Sequence, residues 1–164
     1  MNLTEVLPIE TARLSLRLLH PTDAAEVQQM TDHPVITDLI HFLPQPFTIA
    51  DAARMIRGAG DGRDCFVGAW CRNGELVAIV GTHLHGEHEV EIGYWVRADR
   101  HGQGYATEAA SAIVGALRQA FPHRQVVAEC RAENSASWHV LEKLGFRASG
   151  EKGQRPGRLR LILA

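Results

Sequence analysis

The residues best suited to chemistry crowd into one stretch of the chain. From Trp95-Val96-Arg97 through His101-Gly102-Gln103-Gly104 to Tyr105-Ala106-Thr107-Glu108, the pattern is an apolar strand, a loop with two glycines, and a helix that begins at once. Glycines let the backbone turn sharply and approach a ligand closely. The first N–H groups of a helix have no internal partner and point along the positive end of its dipole. Such a site suits a phosphate or pyrophosphate, and Arg97 and Arg100 add positive charge nearby. Two other readings stand beside this one. Gly102-x-Gly104-x-x-Thr107 partly matches a dinucleotide fingerprint with Glu129 as ribose partner, but the last glycine is missing and no parallel βαβ unit precedes it. The other is a glycine turn that binds nothing.

Around this stretch lie further candidates. Glu91 sits on the strand that leads into the turn, with Glu89 two residues back on the same face. Asn134 opens a later helix, where Asn-x-x-Ser to Ser137 makes sense as plain capping. His83 and His85 share one strand face by period 2, but His88 lies across a turn and no fourth ligand is evident, so no metal site is expected. Cys130 invites a thioester intermediate; a small buried residue of a central strand is the preferred reading.

The elements that must position these residues are legible from periodicity. Arg13–Leu18 alternates polar and apolar, as a strand with one buried face does. A helix starts at Pro21-Thr22-Asp23, capped by Thr22 or Asp23, and prolines at 34, 44 and 46 confine residues 33–47 to a short helix and a loop. Another helix runs from Thr48 or Asp51 through Arg57, stopped by Gly58 and Gly60. Cys65–Cys71, Leu76–Leu84 and Val90–Val96 form an antiparallel meander, broken at Asn73-Gly74 and at Gly86-Glu87-His88. A long helix spans about 104–121, with Ala109, Ala110, Ile113, Ala116 and Leu117 on one stripe and Pro122 as its stop. Val126–Cys130 is a strand, Ser135–Leu144 a helix ended by Gly145, and Phe146–Gly150 and Leu159–Leu163 close the chain as a hairpin. The result is an α+β fold: a single domain over 1–164 with a mixed, mostly antiparallel central sheet of about six or seven strands and about four helices.

The bulk properties agree with that picture. The chain has 164 residues, 45% of them hydrophobic and 22% charged, which fits one globular domain and not disorder. Net charge is −2, from 17 Lys and Arg against 19 Asp and Glu, so no nucleic-acid-coating role is expected. The charge is uneven: Arg147, Lys152, Arg155, Arg158 and Arg160 against Glu151 give the last eighteen residues +4, and the rest −6. That basic end either meets an anionic ligand or is a solvated tail. Three cysteines without a CxxC pair, no signal-like start, and no apolar run near the ~18 residues of a membrane helix point to a cytoplasmic protein without a membrane partner.

The sequence resembles the GNAT superfamily of acyl-CoA-dependent N-acetyltransferases, and within it the RimJ/RimL-like subgroup that includes ribosomal-protein-alanine N-acetyltransferases. Three pieces carry the likeness: Glu91-Ile92-Gly93-Tyr94-Trp95-Val96, Gly102-Gln103-Gly104-Tyr105-Ala106-Thr107-Glu108-Ala109, and Asn134-Ser135-Ala136-Ser137 with Glu142-Lys143-Leu144-Gly145-Phe146. The order of elements matches from Arg13 to the end. The superfamily's loop is usually Arg/Gln-x-x-Gly-x-Gly/Ala; Gly104 and Ala106 fill its last two slots, and His101 occupies the first.

The resemblance implies acetyl-CoA as co-substrate, no metal, and an amine acceptor that is a small molecule or a protein N-terminus, in a monomer or homodimer. Acetyl transfer to an amine requires a deprotonated nucleophile, an oxyanion donor and relief of the leaving thiolate's charge. On the family pattern, Glu91 is the candidate base through a water, with Glu89 or no single base as alternatives. The strand carrying it should splay from Val126–Cys130 so that the pantetheine arm enters the gap. Trp95, Val96 and Arg97 would then give main-chain contacts, with the Val96 N–H as oxyanion donor. Residues 101–107 would hold the pyrophosphate and Asn134 the pantetheine. Ser137 is the candidate proton donor to sulfur, a role taken by a tyrosine elsewhere in the superfamily, which points to Tyr105 or Tyr94. Lys143 and Arg131 are in reach of the 3′-phosphate. The acceptor would be chosen by residues 33–60 and the loop before the last strand, with His41, Phe42, Leu43, Pro44 and Phe47 as an apolar wall and Asp32, Asp38, Glu87 and Glu89 as attractants for a cation. A catalytically silent acyl-CoA-binding module is the alternative to an enzyme.

Overall fold

A computed structural model describes residues 2–59 and 62–164. The strands are β1 (Ile9–Glu10), β2 (Leu14–Leu18), β3 (Asp64–Cys71), β4 (Leu76–His85), β5 (Glu89–Val96), β6 (Gln125–Cys130), β7 (Phe146–Lys152) and β8 (Leu159–Leu163). The helices are α1 (Ala24–Thr31), α2 (Pro34–Thr37), α3 (Ile49–Gly58), α4 (Tyr105–Ala120) and α5 (Ser135–Lys143). All eight strands join one sheet in the order β1-β2-β3-β4-β5-β6-β8-β7. This is one strand more than the upper end expected. The addition is β1, two residues long and too short to show a period, which pairs Ile9 with Leu16.

Every neighbouring pair is antiparallel except β5 and β6. That exception positions the site. β5 and β6 pair only through Glu89↔Gln125, Val90↔Val126 and Glu91↔Val127. Beyond Glu91 they part, while β4 accompanies β5 to Val96 and β8 accompanies β6 to Cys130. The expected splay is present.

Alternation along the strands divides the core in two. Val80, Val90, Ile92, Ile113, Leu117 and Leu141 pack on the face covered by α4 and α5. Val27, Met30, Phe47, Phe66, Ile79 and Trp95 pack on the face covered by α1 and α3. Ile113 and Leu117 of α4 are fully buried, and truncating either to alanine costs ~2–5 kcal/mol.

Helix starts follow local chemistry, with one correction. The first helix is entered through a short 3-10 turn, Pro21–Asp23, which His20 caps; Asp23 stands at the N-cap of α1 itself but makes no side-chain bond to that helix, and Thr22 caps neither. The His20 ring accepts from the Thr22 N–H at 3.2 Å, and the Asp23 carboxylate accepts from the His20 N–H at 2.7 Å. Thr48 and Asp51 cap α3 reciprocally. Gly58 closes that helix; Gly60 lies outside the described residues. Among the described residues no helix is long and apolar enough to cross a membrane.

Candidate active site

The glycine turn links β5 to α4. Gly102 and Gly104 both sit at positive φ, +75° and +82°, a region that L side chains avoid at a cost of ~1–2 kcal/mol. Among the described residues, the N–H groups of residues 101–107 find no protein acceptor; Glu108 is the first to do so, donating to the Gly104 carbonyl at 3.0 Å. These amides are therefore gathered and unspent. The His101 side chain is not turned to a ligand: its Nε2 donates to the Val96 carbonyl at 2.9 Å.

Arg13, ninety residues upstream, braces this turn. Its Nη1 donates to the Gln103 carbonyl at 2.8 Å and its Nε to Glu108 at 2.7 Å, and its guanidinium lies 4.4 Å from the centre of the Tyr105 ring. Glu108 also accepts from the Thr11 hydroxyl at 2.6 Å. Burial would raise the Glu108 carboxyl, but the bonds from Thr11 and Arg13 outweigh it and leave it below the ordinary range. Nothing in the spacing of the sequence pointed to Arg13.

β5 has an open edge where β6 has left it. The Arg97 N–H donates to Val77 of β4 at 2.8 Å. Strand alternation then turns the polar groups of Trp95 to β4 as well, and those of Ile92, Tyr94 and Val96 to the open edge. Of the three expected main-chain contacts, Val96 alone faces the gap; Trp95 and Arg97 are committed to the sheet. The Trp95 side chain is also committed, donating to the buried Thr31 hydroxyl at 3.0 Å. Val96 lies five residues beyond Glu91, ~16 Å along the strand, at the end next to the glycine turn.

On the α4–α5 side of the gap, the Tyr94 hydroxyl is 3.1 Å from Ser137 Oγ and 3.2 Å from the Ser137 carbonyl. Burial pushes the Tyr94 phenol up to about 12, against a smaller pull from Ser137. Tyr105 is elsewhere, under Arg13. Asn134 caps α5, its Oδ1 accepting from the Ser137 N–H at 3.3 Å, which leaves its Nδ2 to donate. Cys130 is buried, and burial raises its thiol, which opposes a nucleophilic role. Lys143 lies exposed in the last turn of α5, where a cation complements the dipole.

On the α1–α3 side, Glu91 is 6% exposed and fully engaged. Arg155 Nη1 donates to its Oε2 at 2.7 Å and Nη2 to its Oε1 at 2.9 Å, and His85 Nε2 lies 2.8 Å from Oε1. Burial alone would raise the carboxyl; the bonds from Arg155 and His85 more than offset it, so Glu91 stays below its ordinary value. Arg155 also donates to Glu129 at 3.1 Å and to His41 Nε2 at 3.1 Å. Glu89 is held by Arg160 through bonds of 3.0 and 2.6 Å, and is a structural partner here. His83 pairs with Asp64 at 2.8 Å, so each strand histidine faces its own carboxylate.

A cavity of about 770 Å³ opens on the same side, walled by His41, Phe42, Phe47, Met55, Phe66 and His83. Phe42, Phe66 and Trp95 make a mutual aromatic cluster with ring centres 6.0–6.3 Å apart. Asp32 accepts from the Phe47 N–H at 3.1 Å and Asp38 from the Gln45 amide, so both hold the loop that forms the wall.

The comparisons with known proteins agree with this geometry. Residues 13–147 match a family model described as "Acetyltransferase (GNAT) domain". The chain is 29% identical over 154 residues to the uncharacterized N-acetyltransferase YnaD of Bacillus subtilis (strain 168), covering 87% of this chain and 84% of that one. Two solved structures share the fold. RimL, a ribosomal L7/L12 α-N-protein acetyltransferase in complex with coenzyme A, superposes with TM-score 0.80 at 18% identity, covering 93% of both chains. Spermidine N-acetyltransferase from Vibrio cholerae, in complex with coenzyme A and spermine, gives TM-score 0.79 at 14% identity, covering 93% of this chain and 96% of that one.

Proposed function

The chain belongs to the acetyltransferase (GNAT) domain family, and on that basis we propose that it transfers the acetyl group of acetyl-CoA to a primary amine by direct attack in a ternary complex. One observation carries this reading. The β5–β6 fork opens between a set of unspent amides at 101–107 and a carboxylate–imidazole pair, Glu91 and His85.

Acetyl-CoA supplies an activated thioester; the chain's own residues do the rest. The amides of 101–107, with the dipole of α4 behind them, receive the pyrophosphate. Asn134 Nδ2 and the open-edge N–H of Val96 hold the pantetheine arm. Because Val96 lies so far from Glu91, the oxyanion falls to an amide nearer the fork, and Tyr94 N–H is our assignment.

The acceptor enters from the α1–α3 side and must lose a proton. Glu91 is ionised and saturated with donors, which makes it a weak base by itself. His85 donates one ring nitrogen to Glu91 and so offers the other as acceptor. Imidazoles are stronger bases than carboxylates, so Glu91 positions His85 and His85, directly or through a water, takes the proton. Across the gap, Tyr94 supported by Ser137 donates to the developing thiolate. A phenol near 12 is a far weaker acid than a thiol at ~8.5. Tyr94 therefore stabilises the sulfur charge by a hydrogen bond and does not surrender its proton outright.

Incubation with acetyl-CoA and a panel of primary amines, following release of free thiol, tests this reading. Amine-dependent release supports it. Coenzyme binding without release on any amine would instead mean a silent binding module.

A further inference from the structure

Around the fork and its cavity five carboxylates are already engaged by hydrogen-bond partners, and the arginines of the loop between β7 and β8 are paired with carboxylates, with one exception. Glu91 is taken by Arg155 and His85. Glu129 is taken by Arg155 and by the N–H groups of Gln154 and Arg155. Asp64 faces His83, and Asp51 faces Arg54 and Thr48. Glu89 is closed by Arg160.

Arg158 is the exception. It is partly buried in the loop between β7 and β8, and its Nη2 donates to the Leu39 carbonyl at 2.7 Å. Among the described residues, no carboxylate lies within ion-pair distance of it. Arg131 stands close by, its guanidinium 3.4 Å from the Cβ that Gly157 lacks. Arg131 and Arg158 thus stand near Arg155, whose own charge is taken up by Glu91 and Glu129. Two neighbouring groups respond to this crowding of cations. Burial first, then Arg155 and Arg131, push the Arg158 guanidinium down from its ordinary value. Burial first, then Arg155 and Arg158, push His41 down as well. His41 also accepts a hydrogen bond from Arg155 and is thereby held neutral. Burying a cation without a counter-ion is costly, and a substrate group of opposite sign relieves that cost.

Resting on the acetyl-transfer reading, we propose that the acceptor bears a carboxylate close to its amine, as an α-amino acid does, with Arg158 receiving the carboxylate, the amine directed to the Glu91–His85 pair, and an apolar side chain in the Phe42–Phe66 cavity. The anchoring is geometric. Arg155 ties this loop to His41, which lines the cavity, and Arg158 ties it to Leu39 two residues before, so the guanidinium of Arg158 is fixed on the segment that leads into the cavity wall.

The test compares phenylalanine with phenylalaninamide and with spermidine as acceptors for the full chain, each against wild type, Arg158→Gln and Arg158→Lys. The proposal requires kcat/KM for phenylalanine to exceed that for the amide by about tenfold or more, the worth of one charge-assisted hydrogen bond in a half-buried site. Arg158→Gln should erase that preference by raising the KM for phenylalanine, leave the KM for acetyl-CoA and turnover of the amide unchanged, and Arg158→Lys should keep part of it. A second readout needs no turnover: N-acetylphenylalanine should raise the Tm of the wild type more than N-acetylphenethylamine does, and Arg158→Gln should remove the difference. Equal or better use of the amide or of spermidine, or equal shifts by the two products, overturns the proposal while leaving acetyl transfer intact. Absence of thiol release with every amine, spermidine included, overturns acetyl transfer itself and this proposal with it.

Discussion

Arg155 grips Glu91 with two parallel hydrogen bonds of 2.7 and 2.9 Å across 64 residues of sequence. This bond links the last hairpin to the fork between β5 and β6, and it sets the protonation state of the carboxylate there. Burial would raise the Glu91 carboxyl, but Arg155 and His85 hold it below the usual range. A carboxylate depressed in the folded state adds stability that is fully present above its unfolded value, ~4.3, and is lost as pH falls through the folded value. Glu91→Gln should therefore cost ~1–3 kcal/mol at pH 7, with the gap to wild type narrowing as the pH drops below about 4. Thermal unfolding of both proteins across pH 3–8 measures this.

His85 is predicted to carry the acceptor's proton. His85→Gln should lower kcat by about 10–100-fold, within the usual range for general base catalysis, and should flatten the rising limb of the kcat/KM profile against pH. Glu91→Gln should reduce kcat less, because the imidazole persists but loses its orienting partner. If His85→Gln retains the limb, the base is elsewhere.

Tyr94 and Ser137 are predicted to act unequally on the leaving sulfur. Tyr94→Phe removes the donor and should lower kcat by about tenfold, as the loss of one hydrogen bond to a charged group does. Ser137→Ala removes only support for that donor, and about threefold is expected, ~0.7 kcal/mol. Since burial holds the phenol near 12, neither variant should alter the pH profile below about pH 10. Steady-state kinetics with saturating acceptor separates the two.

Arg13 is predicted to serve the coenzyme turn from a distance. Arg13→Ala removes the bond to the Gln103 carbonyl and the clamp on Glu108. The side chain is 44% exposed, so the stability loss should stay near 1 kcal/mol or below. The KM for acetyl-CoA should rise by about three- to tenfold, ~0.7–1.4 kcal/mol, with kcat at saturation nearly unchanged.

The fold was largely legible because its elements obey strong periods. The meander from Cys65 to Val96 and the apolar stripe of α4 appear where alternation and 3.6-residue spacing place them. β1 was not legible, since two residues carry no period. The glycine turn was legible from its composition, and its amides are unspent as a phosphate site demands. The chemistry on the α1–α3 side was less so. Glu91 stood out as a candidate, yet its partners Arg155 and His85 did not, because ion pairs across a sheet leave no mark in local spacing. Arg13 escaped for the same reason, its partners lying 90 and 95 residues away. The register that turns the main-chain groups of Trp95 and Arg97 toward β4 leaves no mark in the composition of the strand. One signal did exist: the basic excess after residue 147. It divides on folding, with Arg155, Arg158 and Arg160 turned to the acceptor side and Arg147 and Lys152 left on the exposed strand β7.

The account depends on the amides of residues 101–107 holding two linked phosphates. Calorimetric titration with coenzyme A and, separately, with pantetheine, which has the same thiol arm without the phosphates, tests that most directly. Saturable one-to-one binding of coenzyme A, with pantetheine weaker by at least about a hundredfold, is the predicted result. Equal affinities for the two, or no heat with coenzyme A, would contradict it.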